Sequence, residues 1–233
     1  QSGLDLDDAR QRISFFDSRG LVVKGRKNLT DQKLIYAHEL AEESNLASAL
    51  KTLQPNILIG VSGQGGAFSE PIVRKMGEIN NRPIIFALSN PTSKSECTAE
   101  QAYTWTEGKA IFVSGSPFNP VTYKENTFSP GQGNNAYIFP GVGLGVVVSK
   151  SSQVTDDMFI AAADTLAELV SEEDLAKGRL YPSLIKIREI SCKIAVNVAK
   201  QAFENHIARV PQPEALDKCV EDSMFKPKYK SYV

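Results

Sequence analysis

Two adjacent asparagines, Asn134 and Asn135, lie in a glycine-rich stretch that covers residues 130–141. An asparagine side chain carries donors and an acceptor, so a pair held on a tight backbone can bind a carboxylate, a carboxamide or a ribose. A turn followed by a buried helix is the simpler interpretation of such a stretch. Two further polar motifs favour binding, because each follows an apolar run: Ser-Asn-Pro-Thr at residues 89–92 and Ser-Gly-Ser-Pro-Phe at residues 114–118.

Strand, loop and helix signals alternate through the first 150 residues. Apolar runs predict strands at residues 13–16, 57–61, 83–88 and 110–113. The run at 57–61 has no polar side chain, as expected for a strand covered on both faces. Helices are predicted at 46–53, at 69–79 and from Thr98, which begins a capping box with Gln101. This order predicts an α/β fold with a doubly wound parallel sheet, in which ligands bind beyond the carboxyl ends of the strands.

The remaining 83 residues, 151–233, have helical rather than strand periodicity. Thr155 is predicted to cap one helix and Ser171 a shorter one, and apolar spacing predicts a long helix over residues 185–207. Glycines within residues 141–148 permit close helix packing. We therefore expect a partial nucleotide-binding domain at 1–150, with C-terminal helices and a tail at 151–233 packing on the same domain.

Asp17 follows the first predicted strand and would place an acidic side chain at the edge of a nucleotide site. A carboxylate there can accept hydrogen bonds from the adenosine ribose, although a turn aspartate is an equally simple interpretation. Five cations follow in the sequence, and one of them could neutralise a 2′-phosphate: Arg19, Lys24, Arg26, Lys27 and Lys33.

Residues 60–66 (Gly-Val-Ser-Gly-Gln-Gly-Gly) form a loop whose backbone can approach a ligand closely. The loop lacks the full G-x-G-x-x-G spacing and follows Asp17 instead of preceding it. We therefore predict a second contact loop and not the primary phosphate cradle. Since only sixteen residues precede Asp17, the fold is expected to lack its first strand and its Gly-rich phosphate loop.

The composition, with 42% hydrophobic and 23% charged residues, is ordinary for a globular protein. A net charge of -1 gives no reason to expect nucleic acid as a partner, and no apolar run has the roughly 18 residues of a membrane span. Three widely spaced cysteines and two distant histidines indicate neither a disulfide framework nor a zinc site. We expect a soluble intracellular protein of the cytoplasm or an organelle matrix.

Four long segments carry a family pattern: residues 16–26 (FDSRGLVVKGR), 82–92 (RPIIFALSNPT), 114–118 and 130–141. With Gly-Arg-Leu-Tyr-Pro at 178–182, they make the chain resemble the C-terminal, NAD(P)-binding half of a malic enzyme. The resemblance covers nearly the whole chain. It implies oxidative decarboxylation of (S)-malate to pyruvate and CO2 with NADP or NAD, by an enzyme that uses Mg²⁺ or Mn²⁺ and forms a homo-oligomer.

The resemblance also implies roles for individual residues. Cofactor contacts are expected from Asp17, Ser18, Lys33, Val61, Ser62, Gly63 and Asn90. Substrate contacts are expected from Asn90, Asn134 and Asn135. In the family, a serine after the ribose aspartate and a lysine in the Thr-x-x-Lys stretch tend to accompany NADP, so Ser18 and Lys33 favour NADP over NAD. Asp17 would repel the 2′-phosphate unless Lys33 or Arg19 compensates.

Malic enzymes place several functional groups in their N-terminal half: a tyrosine–lysine acid–base pair, the substrate arginine, the metal carboxylates and the phosphate loop. None of these is matched here, so no catalytic residue and no metal ligand is assigned to this chain. The chain is expected to be inactive without that half. Two alternatives remain open: a non-catalytic nucleotide-binding or assembly fragment, and a different dehydrogenase with a similar sheet.

Overall fold

The computed structural model describes residues 3–227, and the chain divides into two compact units. The first unit covers Gln1–Pro130 and the second covers Gly131–Val233. The change from one unit to the other comes at residue 130, whereas the sequence analysis divides the chain after residue 150. The domains 1–150 and 151–233 stay a prediction, and the end of the tail, residues 228–233, lies outside the described residues.

The first unit alternates strands and helices. Its strands are β1 (Phe16–Asp17), β2 (Gly20–Leu21), β3 (Ile57–Gly60), β4 (Ile84–Ala87), β5 (Ile111–Ser114), β6 (Val121–Tyr123) and β7 (Asn126–Phe128). Its helices are α1 (Leu6–Gln11), α2 (Asp31–Leu34), α3 (Leu46–Leu53), α4 (Glu70–Ile79) and α5 (Ala99–Trp105). Strands β3, β4 and β5 pair in parallel, with Ile57, Ile84 and Ile111 in register. The order β3-α4-β4-α5-β5 confirms the predicted α/β fold.

Helices α4 and α5 belong to the core that covers one face of the parallel strands. Leu58, Ile85 and Phe112 are buried in that core together with Tyr103 of α5. The predicted start of α5 is confirmed, because this helix begins at a capping box in which both Thr98–Gln101 hydrogen bonds form. This packing brings the loops after β3, β4 and β5 to one end of the strands.

Strand β3 is buried on one face only, which corrects the expectation of burial on both. Leu58 and Gly60 are buried, whereas Ile57 and Ile59 are 49% and 54% exposed. Burial therefore alternates with the period of two that a strand imposes. An apolar strand sequence shows that both faces suit burial, but the described residues leave the second face of β3 half exposed.

The segment around Asp17 is an antiparallel hairpin and not a strand of the parallel ladder. β1 pairs with β2, with Asp17 opposite Gly20, and Gly20 has a positive φ of 104°. Only antiparallel strands can be joined by a two-residue turn, which Ser18 and Arg19 supply. Of the predicted strand at 13–16, only Phe16 lies in β1, which ends one residue later at Asp17. Asp17 lies at the hairpin turn and not at the carboxyl end of a parallel strand.

The second unit is helical. It contains the short strand β8 (Gly131–Gln132) and the helices α6 (Phe139–Ser149), α7 (Asp156–Glu168), α8 (Glu172–Ala176), α9 (Ile187–Glu204) and α10 (Leu216–Ser223). Helix α9 packs against α6, α7 and α10. A Cβ at Gly141 would lie 2.6 Å from the Ile194 side chain, and a Cβ at Gly145 would lie 2.6 Å from the Ala195 carbonyl oxygen. The expectation that these glycines permit close helix packing is confirmed.

The two predicted helix caps of this unit have different outcomes. Ser171 accepts a hydrogen bond from the Asp174 N–H at the start of α8, as predicted. Thr155 precedes α7, but its hydroxyl makes no capping bond and is buried without a partner in the described structure. Acidic residues in the first turn of α7, Asp156 and Asp157, complement the positive end of the helix instead.

Candidate functional site

Asp17 lies at the centre of a cluster of charged side chains in the first unit. The Nη2 of Arg26 donates to both carboxylate oxygens at 2.7 Å, and the Nζ of Lys33 forms an ion pair with Oδ2. The backbone N–H of Arg19 donates to Oδ1 at 2.9 Å. A carboxylate offers about four acceptor positions, and protein donors fill all of them here. A ribose hydroxyl would have to displace one of these donors.

The cluster has an excess of positive charge, because two cations face one carboxylate. Burial alone would raise the pKa of Asp17. Hydrogen bonds from Lys33, the Arg19 N–H and Arg26, together with the charge of Arg26, outweigh burial and hold that pKa well below its usual range. Asp17 is therefore ionised at neutral pH. Ser18 and Arg19 are exposed on the adjoining turn, and the guanidinium of Arg19 makes no ion pair within residues 3–227.

Arg26 and Lys33 reach Asp17 from differently constrained positions. The Nη1 of Arg26 donates to the carbonyl oxygens of Gly20 and Leu21 at 2.9 and 3.2 Å, which fixes the guanidinium against the hairpin. Its side chain is only 11% exposed, whereas that of Lys33 is 37% exposed. Arg26 is thus a structural partner of Asp17, and Lys33 is the more accessible cation. Arg26 is one of five cations that follow Asp17 in the sequence, and no local pattern separates it from the other four.

The loop after β3 contains the predicted cofactor residues Val61, Ser62 and Gly63, all of which are exposed. The N–H of Gly63 donates to the Ser89 hydroxyl at 2.9 Å, and the N–H of Ser62 donates to the carboxylate of Glu96 at 3.4 Å. Both amides therefore point into the protein. This geometry suits a contact loop better than a phosphate cradle, which needs free N–H groups facing the ligand.

Asn90 follows β4 and is exposed. Its Oδ1 accepts a hydrogen bond from the Ser116 hydroxyl at 2.6 Å, and its Nδ2 donates to the Leu88 carbonyl oxygen at 3.3 Å. The backbone carbonyl of Ser116 in turn accepts from the Ser114 hydroxyl at 2.7 Å. The motif after β5 thus orients Asn90. The motif at 114–118 is recognisable in the sequence, but no local pattern assigns a role to Ser116.

Asn134 and Asn135 belong to the second unit and differ in their bonding. The Oδ1 of Asn134 accepts from the Ala136 N–H at 2.8 Å and caps a short 3₁₀ turn. Asn135 is exposed and makes no side-chain hydrogen bond within residues 3–227. Tyr137 ends the turn with a buried ring whose hydroxyl donates to the Pro182 carbonyl oxygen at 2.6 Å. Tyr137 also stacks on Tyr181, so the Gly-Arg-Leu-Tyr-Pro motif anchors the asparagine turn.

The structure brings Asp17 and Lys33 together, and it joins the loop of Ser62 and Gly63 to Ser89, the residue before Asn90. The cofactor and substrate roles of these residues stay predictions. Within residues 3–227, no group of three or more His, Cys, Asp or Glu side chains could hold a metal ion. The same residues contain no helix that is long and apolar enough to cross a membrane.

Parallel strands joined by helices, with polar loops after each strand, place this protein in the doubly wound α/β class. The chain belongs to the malic enzyme family, because the family model described as "Malic enzyme, NAD binding domain" matches residues 1–203. This match confirms the family predicted from the sequence motifs.

The curated relatives are similar over the full length of this chain. It is 49% identical to the NADP-dependent malic enzyme of Anas platyrhynchos and 50% identical to NADP-dependent malic enzyme 4, chloroplastic, of Arabidopsis thaliana. The matches include 100% of this chain but 42% and 36% of those proteins, so the chain spans about two fifths of their length.

A solved structure has the same fold. The crystal structure of Entamoeba histolytica malic enzyme is similar to this chain with a TM-score of 0.70 at 24% identity. The similarity covers 90% of this chain and 41% of that one.

Proposed function

We propose that the protein containing this chain oxidises (S)-malate with NADP⁺ and decarboxylates the product to pyruvate and CO2. Membership of the malic enzyme family and near 50% identity to proteins named NADP-dependent malic enzymes support this proposal. The residues of this chain bind and orient the cofactor and the substrate carboxylate. When bound, the nicotinamide supplies the hydride acceptor for the oxidation of malate.

The charged cluster around Asp17 is the observation that carries the choice of NADP over NAD. NAD offers a ribose 2′-hydroxyl, which needs an acceptor, and the acceptor positions of Asp17 are already filled by Arg26, Lys33 and the Arg19 N–H. NADP offers a 2′-phosphate, which needs positive charge and donors. The accessible ammonium of Lys33 and the hydroxyl of Ser18 would supply both.

The remaining contacts are proposed from the family resemblance, and the geometry of the loops supports them. Val61, Ser62 and Gly63 would line the cofactor with their exposed surfaces, because the two amides after Val61 are bonded inward. Asn90 would contact the nicotinamide and the substrate in the orientation that Ser116 gives it. Asn135 would bind the substrate carboxylate, and Asn134 would shape the turn that presents it.

The proton transfers and the metal are assigned to an N-terminal half of the complete enzyme, as the family resemblance implies. The described residues do not fit Mg²⁺ or Mn²⁺, since they contain no suitable group of ligands, and we assign no step to a metal here. A homo-oligomer is likewise proposed for the complete enzyme from the resemblance.

Malate-dependent reduction of NADP⁺ by the full-length natural protein tests the proposal directly. The proposal predicts formation of NADPH with pyruvate and CO2, and a higher kcat/KM for NADP⁺ than for NAD⁺. Formation of oxaloacetate without CO2 would instead support a different dehydrogenase. Malate-dependent reduction by the isolated chain would refute the assignment of the acid–base groups to another segment, whereas nucleotide binding without turnover would agree with it.

A further inference from the structure

Glu96 is an acidic side chain buried in the first unit, with 1% of its surface exposed. No lysine, arginine or histidine forms an ion pair with it within residues 3–227. Placing a carboxylate away from water is costly unless hydrogen-bond donors satisfy it. A buried carboxylate without a cation therefore requires several hydrogen-bond donors. These donors show which segments of the chain the side chain connects.

The donors to Glu96 come from the two loops in which cofactor contacts are proposed. The hydroxyl of Ser89 donates to Oε1 at 2.5 Å and its N–H donates to Oε2 at 3.3 Å. The N–H of Ser62 donates to Oε1 at 3.4 Å. Since the Ser89 oxygen also accepts from the Gly63 N–H at 2.9 Å, the carboxylate connects the loop after β3 to the loop after β4.

The surrounding backbone is shaped to admit this carboxylate. A Cβ at Gly60 of β3 would lie 2.5 Å from the Glu96 Cδ and 2.8 Å from the Phe68 ring. Glycine is therefore required at this point in the strand for the side chain to lie against it. The carbonyl oxygen of Glu96 also accepts from the Phe68 N–H at 2.9 Å, which holds the residue from its backbone side.

Glu96 is followed in the sequence by a buried thiol, Cys97. Burial raises the pKa of the adjacent Cys97 thiol to about 12, and the negative charge of Glu96 adds to that shift. Three hydrogen-bond donors point at one buried carboxylate.

We propose that Glu96 is a positioning residue for the cofactor: through Ser89 it fixes the backbone of Ser62 and Gly63 and the start of the Asn90 loop. This inference rests on the proposed cofactor role of those loops. Glu96 itself touches no ligand, because it is buried beneath them. Without the carboxylate, the Ser89 hydroxyl and the N–H groups of Ser89 and Ser62 lose acceptors, and the two loops are no longer held at a common distance.

Two substitutions break the connection at different atoms, and each has a matched control. Glu96→Gln keeps the size of the side chain but replaces one acceptor oxygen by a donor; its control is Glu100→Gln, at an exposed position in α5. Ser89→Ala removes the hydroxyl that joins Gly63 to Glu96, and Ser89→Thr restores it. The variants are made in the full-length natural protein. Affinity for NADP⁺ and hydrogen exchange of peptides covering residues 57–68 are then measured.

The proposal predicts that Glu96→Gln and Ser89→Ala raise the Kd for NADP⁺ about tenfold, the scale of one lost hydrogen bond to a charged group. Exchange in residues 57–68 becomes faster in both, while Ser89→Thr and Glu100→Gln stay near the wild type. A lowered Tm with unchanged Kd and unchanged exchange would show a merely structural role and overturn the proposal. If the wild type binds neither NADP⁺ nor NAD⁺, the proposed function fails, and exchange alone decides whether Glu96 holds the loop.

Discussion

Replacing Lys33 by alanine is expected to weaken NADP⁺ binding strongly and to leave NAD⁺ binding nearly unchanged. Lys33 is the accessible cation of the Asp17 cluster, since its side chain is 37% exposed and is bonded within the described structure only through Asp17. Arg26 is held by two backbone carbonyl groups and by the same carboxylate. Lys33 can therefore turn towards a 2′-phosphate, whereas Arg26 remains in place to keep Asp17 neutralised.

The size of the effect follows from the bond that would be lost. A hydrogen bond to a charged group contributes about 1.5–3 kcal/mol, which corresponds to a ten- to hundredfold change in Kd. NAD⁺ has no 2′-phosphate and loses no such bond. Titration calorimetry of the full-length protein with each nucleotide measures both values. The expected result for Lys33→Ala is a rise of that size in the Kd for NADP⁺ and a change of less than about threefold for NAD⁺.

Lys27→Ala is the matched control, because it removes one positive charge from an exposed position that precedes α2 and forms no ion pair in the described residues. It lowers the general electrostatic attraction of phosphates without touching the cluster. Equal weakening of NADP⁺ by Lys27→Ala and Lys33→Ala would show that only net charge matters. Equal weakening of both nucleotides by Lys33→Ala would show that Lys33 supports the fold and not the phosphate.

Three further outcomes are expected. Asn135→Ala should lower kcat/KM for malate at least about tenfold, because the variant loses a hydrogen bond to the substrate carboxylate. Asn134→Ala should chiefly lower Tm. Unchanged kinetics for Asn135→Ala would remove Asn135 from the site. Asp17→Asn should lower the free energy of unfolding by about 2 kcal/mol at neutral pH, because Arg26 loses its charged acceptor. Because the pKa of Asp17 is depressed in the folded state, this difference in the free energy of unfolding should be present at pH values above 3.8, the ordinary pKa of the side chain. It should disappear as the pH falls below 3.8, and a difference that does not depend on pH would contradict the ion pair. Burial and the charge of Glu96 raise the pKa of Cys97 to about 12, so this thiol should resist a thiol-reactive disulfide at about pH 8 until the protein is denatured. Rapid labelling of Cys97 in the native protein would contradict its burial.

The helices were predictable where the signal is contained in a few neighbouring residues. Thr98 and Gln101 satisfy each other's backbone groups, so the start of α5 can be read from four positions. Thr155 has the same residue type and the same place before a helix, yet no capping bond forms. The third helical residue after Thr155 is Met158, which cannot return a hydrogen bond, so the cap is not reinforced.

The strands were predictable as apolar runs, but their environment was not. Ile57 and Ile59 are suited to burial, and whether a face is covered depends on other elements and not on the strand itself. Asp17 is a second example of an environment that its own sequence does not determine. The turn at Ser18 and Arg19 pairs β1 with β2, so Asp17 lies in an antiparallel hairpin and not in the parallel sheet.

The candidate site was predictable where a motif is continuous in sequence and not where it is assembled by folding. Asn90 occurs in a recognisable motif that follows an apolar run, and Asn135 occurs in one that precedes an apolar segment. Arg26 meets Asp17 across nine residues, and Glu96 meets Ser62 across thirty-four. No local pattern marks such pairs, because the fold alone brings them within hydrogen-bond distance.

The position of the 2′-phosphate in a crystal structure of the full-length protein with NADP⁺ tests the central claim most directly. The account predicts that the phosphate lies within hydrogen-bond distance of the Lys33 Nζ and the Ser18 hydroxyl, while Arg26 keeps both of its bonds to Asp17. A phosphate bound elsewhere, or a ribose hydroxyl bonded to Asp17 after displacement of Lys33, would contradict the account.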